Sequence, residues 1–411
     1  MNRKFAMEQT NRFHIYQIES PNGLSRRDYL YSLIMEGARA RYTILSPKER
    51  NRIAYEWSHI SKSEDNIDYL LLVQDIIKRI KAYGGMVGPG RGSTPGSIIN
   101  YCLGITMVDP LKFGLLFERF YEFRTDTIDI DTDIDSTTKE HLFDLLSAWY
   151  GSEHVQRIPN SDKTGIHPSK YLITQEDLSS NASLPHIEIE GKNVLDINPL
   201  DIGDSQCAVD FIELENLNEL REEHLDWSMV ELNNDLALKN ICHADLWFNS
   251  SAMRNAVARL NHIDIKTLAT LFAIDRPGQY VLEEYIENHN ARYEGDECGA
   301  VNDIVVETYG LFIFQEQLIR MLEEVADFAP DLARRVQKLM SRKDARVPEY
   351  KAQFVDAGVR KGYEQCYLEL LWNEMYEHTA IHLFSKAHAV AYTILAYWIS
   401  LVRTHRCPMS M

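Results

Sequence analysis

Apolar residues between 24 and 83 recur at intervals of three and four, and DYLLLVQDIIKRIKAY at 68–83 keeps them on one side of a helix. This spacing predicts a helical region. A glycine-rich loop follows at 84–96, GGMVGPGRGSTPG, and the short apolar stretch from Ser97 to Ile105 reads as a helix that starts on it. Residues 111–123 again have helical spacing. TIDIDTDID at 127–135 alternates strictly, which is the strand period. A helix is expected over 139–150. The stretch 152–208 is mixed: strand-like runs such as KYLIT and HIEIE are punctuated by Asn, Ser, Pro and Gly. From about 217 onward helical periodicity dominates, without an internal repeat.

The 411 residues are enough for two or three domains, each with its own core. A hydrophobic share of 45% and a charged share of 25% exclude disordered and low-complexity classes. No run of about 18 apolar residues offers a membrane span. The nearest, Ala389 to Val402, is short and carries Tyr, Thr and Ser. Early basic residues without an apolar run behind them give no secretory signal, and six scattered cysteines without a CxxC pair fit a reducing cytoplasm. The net charge of −18 opposes a polyanionic partner until its distribution is read. Residues 334–361 hold nine Lys/Arg against three Asp/Glu, and a partner that touches one face responds to that local field.

Three constellations point to chemistry. Asp129, Asp131, Asp133 and Asp135 alternate with Ile130, Thr132 and Ile134, so a strand would align carboxylates about 6.6 Å apart on one face. Aspartate is disfavoured in strands and like charges repel, so a divalent-cation site explains the run better than a solvated edge strand. A calcium loop starting at Asp129 fails at its sixth position, which needs glycine and is Ile134. Second, GPGRGSTPGS at 88–97 lacks the Gly-Lys-Ser/Thr of a Walker loop and the third glycine of a dinucleotide fingerprint. Gly92 and Ser93 nevertheless lie just before a predicted helix start, where free amides favour phosphate. Third, ARRVQKLMSRKD puts Arg335, Lys338 and Arg342 on one helical face. In FSKAHAVAY, Lys386 and His388 precede a run that should be buried. In isolation, a tight turn and a solvated basic face would account for the second and third. A phosphate cradle beside a carboxylate strand is what nucleotidyl transfer requires.

In this order, the segments resemble the α subunit of bacterial DNA polymerase III, the C family of replicative polymerases. VGPGRGSTPGSIINYCLGITMVDPLKFGLLFERF resembles its phosphate-binding signature and following helix, and Arg124 leading to Asp129 resembles its arginine before paired aspartates. TLFAIDRPG at 270–278, YGLFIFQEQ at 309–317, KLMSRKD and FSKAHAVAYTILAYWISLVRTH are similar to later motifs, so the resemblance spans about 24–408.

The resemblance implies an α+β, helix-rich chain: a polymerase-β-like nucleotidyltransferase palm, with a mixed sheet and helices, followed by helical fingers. The implied division is a tail at 1–23, first palm part at 24–151, shortened thumb or linker at 152–185, second palm part at 186–225 and truncated fingers at 226–411. It implies Asp129 and Asp131 as the paired carboxylates, with Asp210 in AVDFIELENLN as the third, around two Mg²⁺ ions. Arg91, Gly92, Ser93, Arg124, Lys338, Arg342, Lys343, Lys386 and His388 would bind the nucleotide. The implied activity is template-directed DNA synthesis from dNTPs on primer-template DNA, in the cytoplasm of a bacterium or of a phage host. A clamp or another replisome subunit is an expected partner, and a membrane is not. A catalytically inert relative that binds DNA or the replisome is the alternative; a template-independent nucleotidyltransferase is opposed by the finger-like motifs.

Departures from the family pattern accompany the resemblance. The family's N-terminal phosphatase-like domain and its domains beyond the fingers are expected to be absent, and only 74 residues separate Asp135 from Asp210. Ala208 stands where a lysine is usual, Gln337 where an arginine is common, and Ser169 and Lys170 where glycines are usual. Fewer backbone contacts imply weak, salt-dependent DNA binding.

Overall fold

The computed structural model describes residues 14–159, 166–179, 195–200, 227, 230–243, 248–275, 281–291, 293, 295 and 299–406. The expected helical region at 24–83 forms α1 (Arg26–Arg41), α2 (Pro47–Ile60) and α3 (Glu64–Ala82). Local chemistry sets the starts. The Ser25 hydroxyl accepts from the Asp28 amide and donates to its carboxylate, while Ser46 caps α2 ahead of Pro47. Helix α3 buries every residue from Asn66 to Val73, and the first core gathers around it.

The stretch after the glycine loop forms only α4 (Ile98–Cys102), and 111–123 divides into α5 (Pro110–Phe113) and α6 (Phe117–Phe120). The division falls at Gly114, whose φ of +59° ends α5 in the left-handed region. The alternating run becomes β1 (Asp131–Asp135), and its last carboxylate caps α7 (Ser136–Tyr150) by accepting from the Thr138 amide at 2.8 Å.

Strand β1 pairs in parallel with β4 (Leu195–Leu200). Strand β3 (Ile166–Ile173) runs antiparallel between β4 and β2 (Val155–Pro159), so the order is β1-β4-β3-β2. The register sets Asp131 beside Asp196 and Asp133 beside Asn198. KYLIT lies at the end of β3, whereas HIEIE and the segment with Asp210 lie outside the described residues.

Beyond residue 230 the described elements are helical: α8 (Asp235–Lys239), α9 (Ser251–Arg259), α10 (Ile265–Ile274), α11 (Leu282–Asn290), α12 (Ala300–Val305), α13 (Gln315–Arg320), α14 (Pro330–Ser341), α15 (Lys351–Arg360), α16 (Gln365–Asn373) and α17 (Lys386–Arg406). A second core packs α17 against α8 to α11 and also takes in Phe113 and Leu115, so it ties the C-terminal helix to the glycine-loop region. A third lies within α12 to α16. The architecture is α+β and helix-rich. Among the described residues, no helix is long and apolar enough to cross a membrane.

Candidate functional site

The glycine loop is laced to β1. Val87 bridges Ile134, the Gly88 amide donates to the Asp133 carbonyl at 2.8 Å, and the Met86 amide donates to the Asp135 carboxylate at 2.8 Å. Farther along, the Thr94 hydroxyl accepts from the Asp131 amide at 2.9 Å and donates to its carbonyl at 3.1 Å. The loop therefore folds over the beginning of the strand. Gly92 is required there twice over. Its φ is +58°, and a Cβ would stand 2.5 Å from Asp131 Oδ2.

The expected helix start is displaced. Ser93 enters a single turn at 94–96, and α4 begins only at Ile98. The first α4 amides meet no open space. Glu56, fully buried in α2, accepts from Ile98 and Ile99 at 3.0 and 3.2 Å and from the Ser97 hydroxyl at 2.6 Å. Arg52 pairs with Glu56 at 2.7 Å and also donates to the Gly96 and Leu115 carbonyls. A phosphate at Gly92 and Ser93 would thus face loop amides, because an internal carboxylate already takes the positive end of the helix.

Helix α17 closes the other side. Ser385 donates to the Gly92 carbonyl at 3.3 Å, the Gly92 amide donates to His388 Nδ1 at 3.1 Å, and Tyr392 donates to Asp133 Oδ2 at 2.6 Å. The His388 ring stacks on Tyr392 with centroids 4.2 Å apart. Burial, then the nearby Arg91 and Arg119 charges, pushes the imidazole down to about 4, so at neutral pH it is an uncharged acceptor. The FIFQEQ motif fixes where this helix begins. The Gln315 amide donates to the Phe384 carbonyl at 2.8 Å, and Glu316 accepts from the Lys386 and Ala387 amides. Gln317 accepts from both Ile313 and Phe314 at 2.8 Å.

The carboxylates differ in setting. Asp129 lies two residues ahead of β1 and is exposed, Asp131 is half-buried against Gly92, and Asp133 is buried with Arg91 at 3.5 Å. Residues 131 and 133 share one face of β1. Hard oxygen donors side by side suit a hard divalent cation. Among the described residues no three metal-ligating side chains gather, and Asp210 lies outside them.

The expected cations have separate surroundings. Lys386 is buried and paired with Glu307 at 2.7 Å, and Lys338 pairs with Glu122 at 2.6 Å. Lys343 donates to the Tyr376 carbonyl and lies 3.5 Å from the Glu377 carboxylate. Arg124 and Arg342 are exposed.

Two other guanidinium groups lie nearby: the Arg119 charge acts on His388 and also on Arg334. Arg119 donates to Gln315 Oε1 at 3.0 Å and Arg334 to Gln337 Oε1 at 2.5 Å, and neither has a carboxylate within 4.0 Å among the described residues. Burial, reinforced by Arg119, pushes Arg334 down to about 9. Sequence reasoning passed over Arg119, which sits inside FERF between apolar residues. It also passed over Tyr392, although Tyr392 lies one helical turn after His388.

Two family models match the chain: "Bacterial DNA polymerase III alpha NTPase domain" over residues 28–166 and "Bacterial DNA polymerase III alpha subunit finger domain" over residues 211–362. Similar curated proteins bear the name DNA polymerase III subunit alpha. One from Staphylococcus epidermidis is 26% identical over 95% of this chain and 44% of its own length. One from Ureaplasma parvum is 25% identical over 86% of this chain and 45% of its own length. One from Staphylococcus aureus is 25% identical over 95% of this chain and 44% of its own length. The chain therefore spans less than half the length of these relatives.

Proposed function

The chain belongs to the bacterial DNA polymerase III α family, of which it carries the NTPase and finger domains, and on that premise we propose that it is a template-directed DNA polymerase of a bacterial or phage replication machinery, acting in the cytoplasm on primer-template DNA and dNTPs. The observation that carries this reading is the lacing of the glycine loop onto the carboxylate strand, with Gly92 against Asp131 and Arg91 beside Asp133. On this reading a phosphate at the loop would lie next to a cation held by the strand.

Asp131 and Asp133 are the proposed described ligands of the metal, with Asp129 as the alternative mate of Asp131 and Asp210 as the third carboxylate. Two Mg²⁺ ions, when bound, supply activation of the primer 3′-hydroxyl and stabilisation of the pyrophosphate leaving group. The Gly92 and Ser93 amides hold phosphate oxygens, and Arg119 and Arg334 face the triphosphate charge together with Arg91. Arg124 and Arg342 approach from the exposed rim. Lys338, Lys343 and Lys386 order the fingers around the nucleotide, and His388 stands at the Gly92 amide where the phosphate would bind. Base pairing with the template reads sequence. A clamp or another replisome subunit is the proposed partner, and binding through phosphate contacts is expected to weaken as salt rises.

A second reading, an inert relative that binds DNA or the replisome, draws on Lys338 and Lys386 already being paired with Glu122 and Glu307. Primer extension at low salt with a templated primer, Mg²⁺ and four dNTPs separates the two. Extension that follows the template supports the polymerase. Its absence, even with clamp and accessory proteins, supports the inert relative.

A further inference from the structure

A backbone amide has one hydrogen, and that of Gly92 is directed to His388 Nδ1 at 3.1 Å. The loop around this amide is tied down, because the Thr94 hydroxyl bonds both backbone groups of Asp131, Ser385 donates to the Gly92 carbonyl, and Asp131 packs against the Gly92 Cα. The same segment of α17 engages both halves of the cleft. Ser385, His388 and Tyr392 are spaced by three and four, which puts them on one helical face. They reach the Gly92 carbonyl, the Gly92 amide and the Asp133 carboxylate. Phe272, Phe384 and Tyr392 surround the imidazole with centroids at 6.3, 5.4 and 4.2 Å. The backbone at the start of α17 is fixed by Glu316 and by the bridge from Phe314 to Phe384. The element that can yield is therefore the His388 side chain.

We propose that Ser385, His388 and Tyr392 form a latch between the start of α17, the glycine loop and β1, and that an entering triphosphate must displace His388 from the Gly92 amide before its own oxygen is bound. This rests on the reading of the glycine loop as a phosphate site. Free chain and phosphate-bound chain then differ in the partner of one amide. The affinity for phosphate is lower than the loop alone would give, by the factor needed to break the existing bond.

The test is calorimetric titration of the full chain with inorganic tripolyphosphate, without divalent cation and without DNA. His388→Phe keeps an aromatic ring in the stack and removes the acceptor; it is expected to bind about five-fold more tightly than the wild type, the factor carried by one net hydrogen bond. His388→Ala, checked by its unfolding curve, should shift affinity in the same direction. Equal or weaker binding by folded variants overturns the latch while leaving the phosphate site in place. No binding by the wild type or either variant overturns the phosphate reading itself, and the latch with it.

Discussion

The phenol of Tyr392 donates to Asp133 Oδ2 at 2.6 Å across 259 residues of chain. That bond draws the C-terminal helix onto the strand; of the two buried aspartates in the alternating run, Asp133 and Asp135, Asp133 is the one it joins to α17.

Asp131→Asn and Asp133→Asn are accordingly expected to lower primer extension by at least about 100-fold, with little change in the melting curve, because the charge that would hold a cation is lost. Asp129→Asn is expected to stay within a few fold of the wild type. Extension by Asp133→Asn at the wild-type rate, with loss in Asp129→Asn, would return Asp129 to the role of Asp131's mate.

Gly92→Ala places a methyl group where Asp131 Oδ2 lies, on a backbone with positive φ. A loss of about 1–3 kcal/mol in stability is expected, measured by urea unfolding, together with loss of tripolyphosphate binding. A variant that binds as the wild type does would show that the loop can open without using this conformation.

Glu56→Ala leaves Arg52, Ser97 and two α4 amides without their common acceptor. Breaking a buried pair of this kind costs about 3–5 kcal/mol. Glu56→Gln keeps an acceptor and should recover part of it. Equal unfolding midpoints for Glu56→Ala and the wild type would remove Glu56 as the anchor of the loop.

Glu323, in the turn after α13, has a buried Oε1 without a hydrogen-bond partner among the described residues. Burial, then the charges of Glu118 and Glu324, pushes this group up to about 8 from its ordinary 4.5. Between those values the folded chain holds a proton that the unfolded chain releases, so this group makes stability fall as pH rises and levels off above about 8. Glu323→Gln should match the wild type near pH 4 and exceed it at pH 8 by on the order of 2 kcal/mol. Parallel pH profiles of the two proteins would refute the assignment.

Periodicity made α1, α2 and α7 legible, because each buries a regular stripe; α3 and β1 were also recognisable, although α3 is buried all round from Asn66 to Val73 rather than on one side, and β1 is buried on both faces from Thr132 to Asp135. Periodicity could not show that Gly114 divides 111–123, since the division depends on a left-handed φ rather than on hydrophobic spacing. The loop was readable as a turn and as a phosphate candidate. Its relation to Glu56, about forty residues earlier, was not, because nothing in the local pattern says which carboxylate meets the α4 amides. Lys386 was read as preceding a buried run; it is itself buried, and the anion it meets is Glu307 from a distant segment. QEQ, read only through resemblance, turns out to be three different attachments: Gln315 to Phe384 and Arg119, Glu316 to the start of α17, and Gln317 to its own turn.

Amide oxygens at Gln315 and Gln337 give Arg119 and Arg334 an orientation without discharging them. An acidic partner would have quenched the field it was positioning. In a chain whose total is −18, the two guanidinium groups stand close enough for Arg119 to act on Arg334, and on the proposed reading a multivalent anion would ease that repulsion.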